Sequence, residues 1–287
     1  MPQSQRIVGL GEVLWDVFPE GEAFGGAPAN FACHCRSLGA DAAVVSAVGD
    51  DERGRRAMAF LEGHGVDTRG LTTLPGARTG VVLVTLDEEA RPSYEICEGV
   101  AWDQLAWSDT LAGLAAGTDA VCFGSLGQRS AEAGAVIQRF VAAAPPQALR
   151  VFDINLRQHY HSAAVIEASL EAANVLKIND EELPVVAAQF GLQGDAEQQL
   201  QSLLERFVLT CGGRGALMLT PEGSSFCEPP AVEVVSTVGA GDSFTATVVK
   251  GLLEGRPLAE INRHANAVAA FVCSQRGAVP PLPPELV

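Results

Sequence analysis

Between about residue 119 and residue 210, short apolar runs alternate with longer segments whose apolar positions recur at helical spacing. The runs are Ala120-Val121-Cys122-Phe123, Arg150-Val151-Phe152-Asp153-Ile154, Asn174-Val175-Leu176-Lys177-Ile178 and Arg206-Phe207-Val208-Leu209-Thr210; the helical patterns lie near 130–143, 162–172 and 180–204. Strands separated by helices in this way predict βαβ units and a parallel sheet buried on both faces. Ligands of such sheets bind beyond the carboxyl ends of the strands. That rule singles out the polar residues following each run: Asp153, Asn155 and Arg157, then Asn179 and Glu182, then Thr210 and Gly212.

The first third of the chain has a different pattern. Strand-like pieces at 6–14, 79–86 and 92–97 stand beside helical stretches near 28–38 and 52–63. Thr79 to Leu86, the acidic Asp87-Glu88-Glu89 and Ser93-Tyr94-Glu95-Ile96 predict an antiparallel hairpin, and with it a small sheet projecting from the main domain. A half-exposed sheet that carries apolar residues has to cover something, either a substrate or a second subunit. No internal repeat or low-complexity tract interrupts the chain, and the proline-rich Val279–Val287 predicts an irregular tail.

Composition narrows the partners. With 287 residues, 47% hydrophobic and 19% charged, the chain can bury the core of one large soluble domain or of two modest ones. Thirty-five acidic against 19 basic side chains, a net charge of −16, argue against nucleic acid and against anionic membrane as partners. A nucleotide is repelled at long range too, so a site for one must rely on backbone donors, a few cations and Mg²⁺. Met1 to Leu10 lacks the basic and apolar regions of a signal peptide, and no later segment approaches the length of a membrane span, so a cytoplasmic location is expected. The seven cysteines stand in apolar surroundings and read as reduced, buried thiols. Cys33-His34-Cys35 lacks a second ligand pair at zinc-site spacing and reads as part of a core helix. His159 and His161 read as solvated loop residues.

Two segments carry the candidate chemistry. Ser236-Thr237-Val238-Gly239-Ala240-Gly241-Asp242-Ser243-Phe244 places a turn of small residues at the start of an expected helix. Gly239, Ala240 and Gly241 have little side chain to keep an anion from their N–H groups, and the helix dipole adds to the attraction. Asp242, one residue further, reads from this stretch alone either as a helix cap or as a catalytic base. The second segment, Gly25-Gly26-Ala27-Pro28-Ala29-Asn30, lets a ligand approach the backbone and puts Pro28 in a first helical turn. Alone it is a simple loop; paired with the later glycine-rich turn it means more. Gly9-Leu10-Gly11 runs on into Glu12-Val13-Leu14 with no third glycine opening a helix, which sets aside a dinucleotide-binding dehydrogenase.

With both segments present, the chain resembles the ribokinase-like (PfkB) family of sugar kinases, and within it most resembles the fructokinases. Gly11-Glu12-Val13-Leu14-Trp15-Asp16, Asp153-Ile154-Asn155-Leu156-Arg157 and Asn179-Asp180-Glu181-Glu182 fall in the family's order, and the resemblance covers nearly the whole chain. It implies a single α/β domain over 1–287, a three-layer α/β/α arrangement with a mostly parallel central sheet, and a small β-sheet lid from segments about 12–25 and 78–101. It implies that Asp16, Gly25, Gly26, Asn30 and Asn155 hold the sugar, with Arg157 near the transferring phosphate. Asn179 with Glu182 would organise the phosphates and Mg²⁺, the latter through water. Thr210, Gly212 and Gly215 would form the nucleotide-side loop, and Asn266 would line the adenine pocket. Gly239, Ala240 and Gly241 become the anion hole and Asp242 the base. Many relatives have Asp where this chain has Ser236, and in several that carboxylate helps bind a monovalent cation; the change counts against K⁺, leaving carbonyls near Ser274 to Gly277 as its remaining source of ligands.

The resulting expectation is transfer of the γ-phosphate of MgATP to D-fructose, giving fructose 6-phosphate, with the lid closing over the sugar and pairing in a homodimer. Other acceptors in the same class are 2-keto-3-deoxygluconate, ribose and tagatose. A catalytically silent sugar sensor on the same fold is the reading from another class; the joint presence of Asp242, Asn179 and Glu182 argues against it, since a pure binder needs no base. Trp102 and Asp103, just after the hairpin, either reach the pocket or support the lid.

Overall fold

A computed structural model describes residues 5–86, 92–204 and 206–287. In chain order the elements begin β1 (Arg6–Leu10), β2 (Leu14–Phe18), β3 (Gly21–Gly25), α1 (Ala27–Ser37), β4 (Asp41–Gly49), α2 (Glu52–Gly63), β5 (Asp67–Leu74), β6 (Gly80–Leu86) and β7 (Pro92–Ile96). They continue with α3 (Asp109–Ala116), β8 (Ala120–Phe123), α4 (Ala131–Ala143), β9 (Leu149–Asp153), α5 (Ala163–Ala172), β10 (Val175–Asn179), α6 (Glu182–Phe190) and α7 (Ala196–Gln201). The last are β11 (Phe207–Thr210), β12 (Ala216–Thr220), β13 (Gly223–Cys227), α8 (Ala240–Leu253) and α9 (Leu258–Cys273).

Nine strands form the main sheet in the order β13-β12-β11-β10-β9-β8-β1-β4-β5. Pairing is parallel from β11 through β5 and antiparallel only on either side of β12. The apolar runs explain the layering, because successive side chains of a strand face opposite ways. Val121 and Phe123 of β8 join the core under α3, α4 and α5, while Ala120 and Cys122 join the core shared with α1 and α8. The central strands β1, β4, β8 and β9 are buried on both faces, and the result is a three-layer α/β/α domain. A third cluster packs Phe244 and Val248 of α8 and Ile261 and Ala265 of α9 on β11 and β12.

Four strands form a second sheet in the order β3-β2-β6-β7. Its two hairpin pairs are antiparallel, but β2 and β6 run parallel, so the sheet is mixed. The acidic Asp87-Glu88-Glu89 lies outside the described residues. Trp102, 2% exposed, supports this sheet from beneath: the Arg129 guanidinium stacks over its ring and pairs with Asp103 at 2.7 Å, so neither residue opens toward the ligand space.

Some expectations need correction. The single strand piece expected over 6–14 is two strands in different sheets, because the backbone turns at Gly11, φ +148°, where a Cβ would press on Pro28. The helix expected over 180–204 is split: Gly191 ends α6 in the left-handed conformation, and Asp195 with Gln198 forms a capping box that starts α7. Residues 279–287 are irregular apart from a short 3-10 turn, yet they dock, with the Leu286 carbonyl 2.9 Å from His264 Nε2.

Candidate active site

The carboxyl ends of β1, β8 and β9 and the amino ends of α1 and α8 converge on one cavity, lined among others by Glu12, Pro28, Asp153, Asn155, Asp242 and Thr245. Gly239 is the N-cap of α8 at φ +82°, and a Cβ there would collide with the Ala278 carbonyl oxygen. Only glycine fits both demands, and the N–H groups of Ala240, Gly241 and Asp242 follow in the first turn of the helix. An anion placed there meets backbone donors and the positive end of the dipole.

Asp242 lies half-buried in that turn and accepts a hydrogen bond of 2.9 Å from Asn30 Nδ2 on α1. Burial pushes its pKa up to about 6; the Asn30 amide works against this, Asp153 adds to it, and Lys177 and Arg157 offset part of it. The carboxyl therefore titrates just below neutrality, where a base can be ionised and still take a proton.

Behind Asp242 stands a charged group enclosed by the sheet. Lys177 and Asp153 are register partners on β10 and β9, and Lys177 Nζ donates to Asp153 Oδ1 at 3.0 Å. Thr245 Oγ1 of α8 lies 3.1 Å from the other Asp153 oxygen and 2.9 Å from the Gly241 carbonyl, tying the strand end to the glycine turn. Burial acts to lower the Lys177 pKa, but Asp153, Glu182 and Asp242 outweigh it and the net shift is upward. The ammonium is thus held charged beneath the turn.

Asn179, at the end of β10, holds the turn into α6 by accepting from the N–H groups of Glu181 and Glu182 at 2.9 and 2.8 Å. Glu182, 6% exposed, returns one oxygen to the Asn179 N–H at 2.9 Å and gives the other to the Leu156 N–H at 3.0 Å, clamping the loops after β9 and β10 together. Burial raises its pKa, with Lys177 opposing. Asn155 takes φ +45° in the loop after β9; Arg157 is exposed and bonds the neighbouring Leu156 carbonyl at 3.0 Å. On the other side of the cavity, Gly26 takes φ +107°, and Asp16 on β2 lies so close to Gly25 that a Cβ at position 25 would sit 2.9 Å from its Oδ2. Burial raises the Asp16 pKa as well, against the pull of Arg157.

Of the residues expected to hold the sugar, Asn155 and Asp242 line the cavity and Asn30 is tied to it through Asp242, while Gly26 precedes its lining residue Ala27 and Asp16 stands against Gly25. Asn179 and Thr210 are register partners on β10 and β11. Gly212 and Gly215, at φ +54° and +105°, shape the link from β11 to β12. Asn266, 4% exposed, spends its amide on the Asn262 carbonyl, the Asn262 Oδ1 and the Cys227 carbonyl at 2.9 to 3.3 Å. Ser236 and Val235 donate their N–H groups to the Cys273 carbonyl at 3.1 and 2.8 Å, which ties the approach to the turn onto the end of α9.

Two site groups escaped sequence reasoning. Lys177 had a signal, a lone lysine inside an apolar run, but its partner was fixed only by strand register. Glu12, 3% exposed between β1 and β2, accepts from the Ala27 N–H at 3.3 Å and so serves the uncapped start of α1, while its Oε2 has no partner among the described residues. Burial pushes Glu12 up to about 7.

Comparison with known proteins gives a consistent picture. The family model described as pfkB family carbohydrate kinase matches residues 11–285. The Arabidopsis thaliana protein named "Probable fructokinase-4" is 30% identical, with 99% of this chain and 95% of that protein covered. The structure of a sugar kinase from Pyrococcus horikoshii in complex with ATP superposes with a TM-score of 0.81 at 26% identity, covering 95% of this chain and 94% of that one. A fructokinase from Xylella fastidiosa with bound ATP shares the fold at a TM-score of 0.84 and 22% identity, covering 96% and 94% of the two chains.

Proposed function

This chain belongs to the pfkB family of carbohydrate kinases, phosphotransferases that act on a sugar hydroxyl, and from that premise we propose that it phosphorylates D-fructose to fructose 6-phosphate with Asp242 as the base. The observation that carries the assignment is the placement of the Asp242 carboxylate: oriented by Asn30, facing the same cavity as Asn155, and on the first turn of a helix opened by Gly239.

In this reading Asp16, Asn30 and Asn155, with the bare backbone at Gly25 and Gly26, hold the sugar hydroxyls. Asp242 accepts the proton of the attacking hydroxyl as its oxygen bonds to the γ-phosphorus and the bond to ADP breaks. The N–H groups at Ala240 and Gly241 receive the charge on the moving phosphoryl oxygens, with Arg157 reaching from the loop after β9. Phosphoryl transfer asks the protein for positioning and charge stabilisation more than covalent work. Orientation supplies roughly 7 to 11 kcal/mol and a base typically about 10²- to 10⁴-fold, so the glycine turn counts at least as much as Asp242.

Mg²⁺ bound with ATP would neutralise part of the phosphate charge. The oxygen donors present fit that ion, since Glu182 and Asn179 stand at the strand ends with hard ligands; both Glu182 oxygens already accept an N–H, which suits contact through water. Thr210, Gly212, Gly215 and Asn266 are assigned to the nucleotide side. The sheet β3-β2-β6-β7 acts as a lid whose closure excludes water and suppresses ATP hydrolysis.

The test is ADP release from MgATP with fructose, ribose, glucose, tagatose and 2-keto-3-deoxygluconate. Turnover on fructose well above the others is expected. A clear preference for another acceptor overturns the fructose assignment alone, and no turnover above the ATP-only rate overturns the kinase reading.

A further inference from the structure

Cys33-His34-Cys35 is left unused by the kinase reading. The two cysteines pack into the core between α1 and the sheet, and between them His34 is fully buried although polar. Its Nε2 lies 2.9 Å from the Ala278 carbonyl oxygen and its Nδ1 has no partner among the described residues. A carbonyl only accepts, so the geometry assigns the proton to Nε2 and leaves Nδ1 bare in the core. Burial holds the imidazole down at about 4, and the ring is neutral at working pH.

A histidine that merely filled space would be a costly choice, since an enclosed nitrogen without a partner is unfavourable and an apolar side chain would fill the same volume. The position of Ala278 supplies the reason. Its carbonyl closes against Gly239 so tightly that no Cβ fits between them, and Gly239 is the left-handed N-cap from which the donors of α8 begin. One helical turn before His34, on the same face of α1, Asn30 donates to the Asp242 carboxylate. Two side chains of one helix therefore hold both ends of one turn. Asn30 grips the carboxylate directly, and His34 grips the N-cap through the Ala278 carbonyl.

We propose that His34 is a positioning residue for phosphoryl transfer, fixing the Gly239–Asp242 turn through its hydrogen bond to the Ala278 carbonyl; this rests on the kinase reading above. Loss of that bond frees Ala278 and lets Gly239 drift, which misplaces the phosphate donors while the sugar-holding residues stay where they are.

The test compares His34→Met, which fills the core but cannot donate, with His34→Gln, whose amide can donate to the same carbonyl. Cys35→Ala serves as a core control on the same helix, and Asp242→Asn is assayed in parallel. Each full-length protein is assayed for kcat and KM with MgATP and the best acceptor of the panel, with Tm recorded. His34→Met is expected to lose about 10- to 100-fold in kcat, the scale of an ångström-sized misplacement, with sugar KM little changed. His34→Gln is expected to recover most of that loss, and Cys35→Ala to keep wild-type kcat at a comparable drop in Tm. Wild-type kcat in His34→Met, no recovery in His34→Gln, or an equal loss in Cys35→Ala overturns the inference. An active Asp242→Asn overturns the reading beneath it instead, so the two failures are distinct.

Discussion

At neutral pH the ionised Asp242 is costly to hold where it stands, because burial and the nearby Asp153 outweigh the help of Asn30, Lys177 and Arg157. Its folded value of about 6 exceeds the ordinary 3.8, so the folded protein binds that proton more tightly than the unfolded chain does. The penalty is absent below the unfolded value, grows as pH rises between the two, and is complete above the folded one. Glu12, pushed up to about 7 by burial, acts in the same direction. Above pH 6 the Asp242 penalty is nearly complete and Glu12 carries the further change, outweighing the opposite effect of His34, so unliganded protein is expected to melt at a higher temperature near pH 6 than near pH 8, and Glu12→Gln to flatten that dependence; equal slopes in thermal melts of the two proteins contradict the assignment. The same titration sets activity. With Asp242 as base, kcat/KM rises with pH through about 6 and levels above it. A profile flat down to pH 5 contradicts the assignment of the base.

The start of α8 is the element on which the site depends, and Gly239 is its least replaceable residue. Gly239→Ala forces a left-handed φ of +82° on a residue with a Cβ and drives that Cβ into the Ala278 carbonyl. The strain alone is on the order of 1 to 3 kcal/mol, and Tm and kcat are both expected to fall, with wild-type kcat as the contradicting result. This element was legible from sequence because its features are local: small residues, then a carboxylate, then a helical run. The helix over 52–63 was legible for the same reason, with Asp51 capping it by accepting from the Gly54 N–H at 2.7 Å. Contacts between distant residues were not. Lys177 needed the register of β9 and β10, and His34 is bonded to a carbonyl 244 positions away. The break at Gly11 was hidden because apolar residues continue on both sides of it, while the chain passes from one sheet to the other. The parallel pairing of β2 with β6 likewise joins segments separated by α1, β4, α2 and β5.

Over the whole molecule, a net charge of −16 opposes the approach of MgATP, and the site must win locally through backbone donors and a few cations. Added salt screens the repulsion at long range and leaves the short contacts largely intact. The KM for MgATP is therefore expected to fall as NaCl is raised from low ionic strength at fixed Mg²⁺, whereas a steep rise would mean that a basic surface dominates capture. The nine-stranded sheet sets Asp153 at the end of β9 and Lys177 beside it on β10, and the mixed sheet is joined to the loop that follows β9. Gln158 Nε2 reaches the Tyr94 carbonyl at 2.6 Å and Tyr160 the Ile96 carbonyl at 3.2 Å, so the loop carrying Asn155 and Arg157 is joined to the sheet that would close. Removal of the proton of the attacking hydroxyl by Asp242 is read from single-turnover phosphoryl transfer by Asp242→Asn at saturating MgATP and fructose. A rate about 10²- to 10⁴-fold below wild type is expected, with nucleotide affinity retained and Tm at least as high as wild type; transfer at the wild-type rate rules out Asp242 as the base.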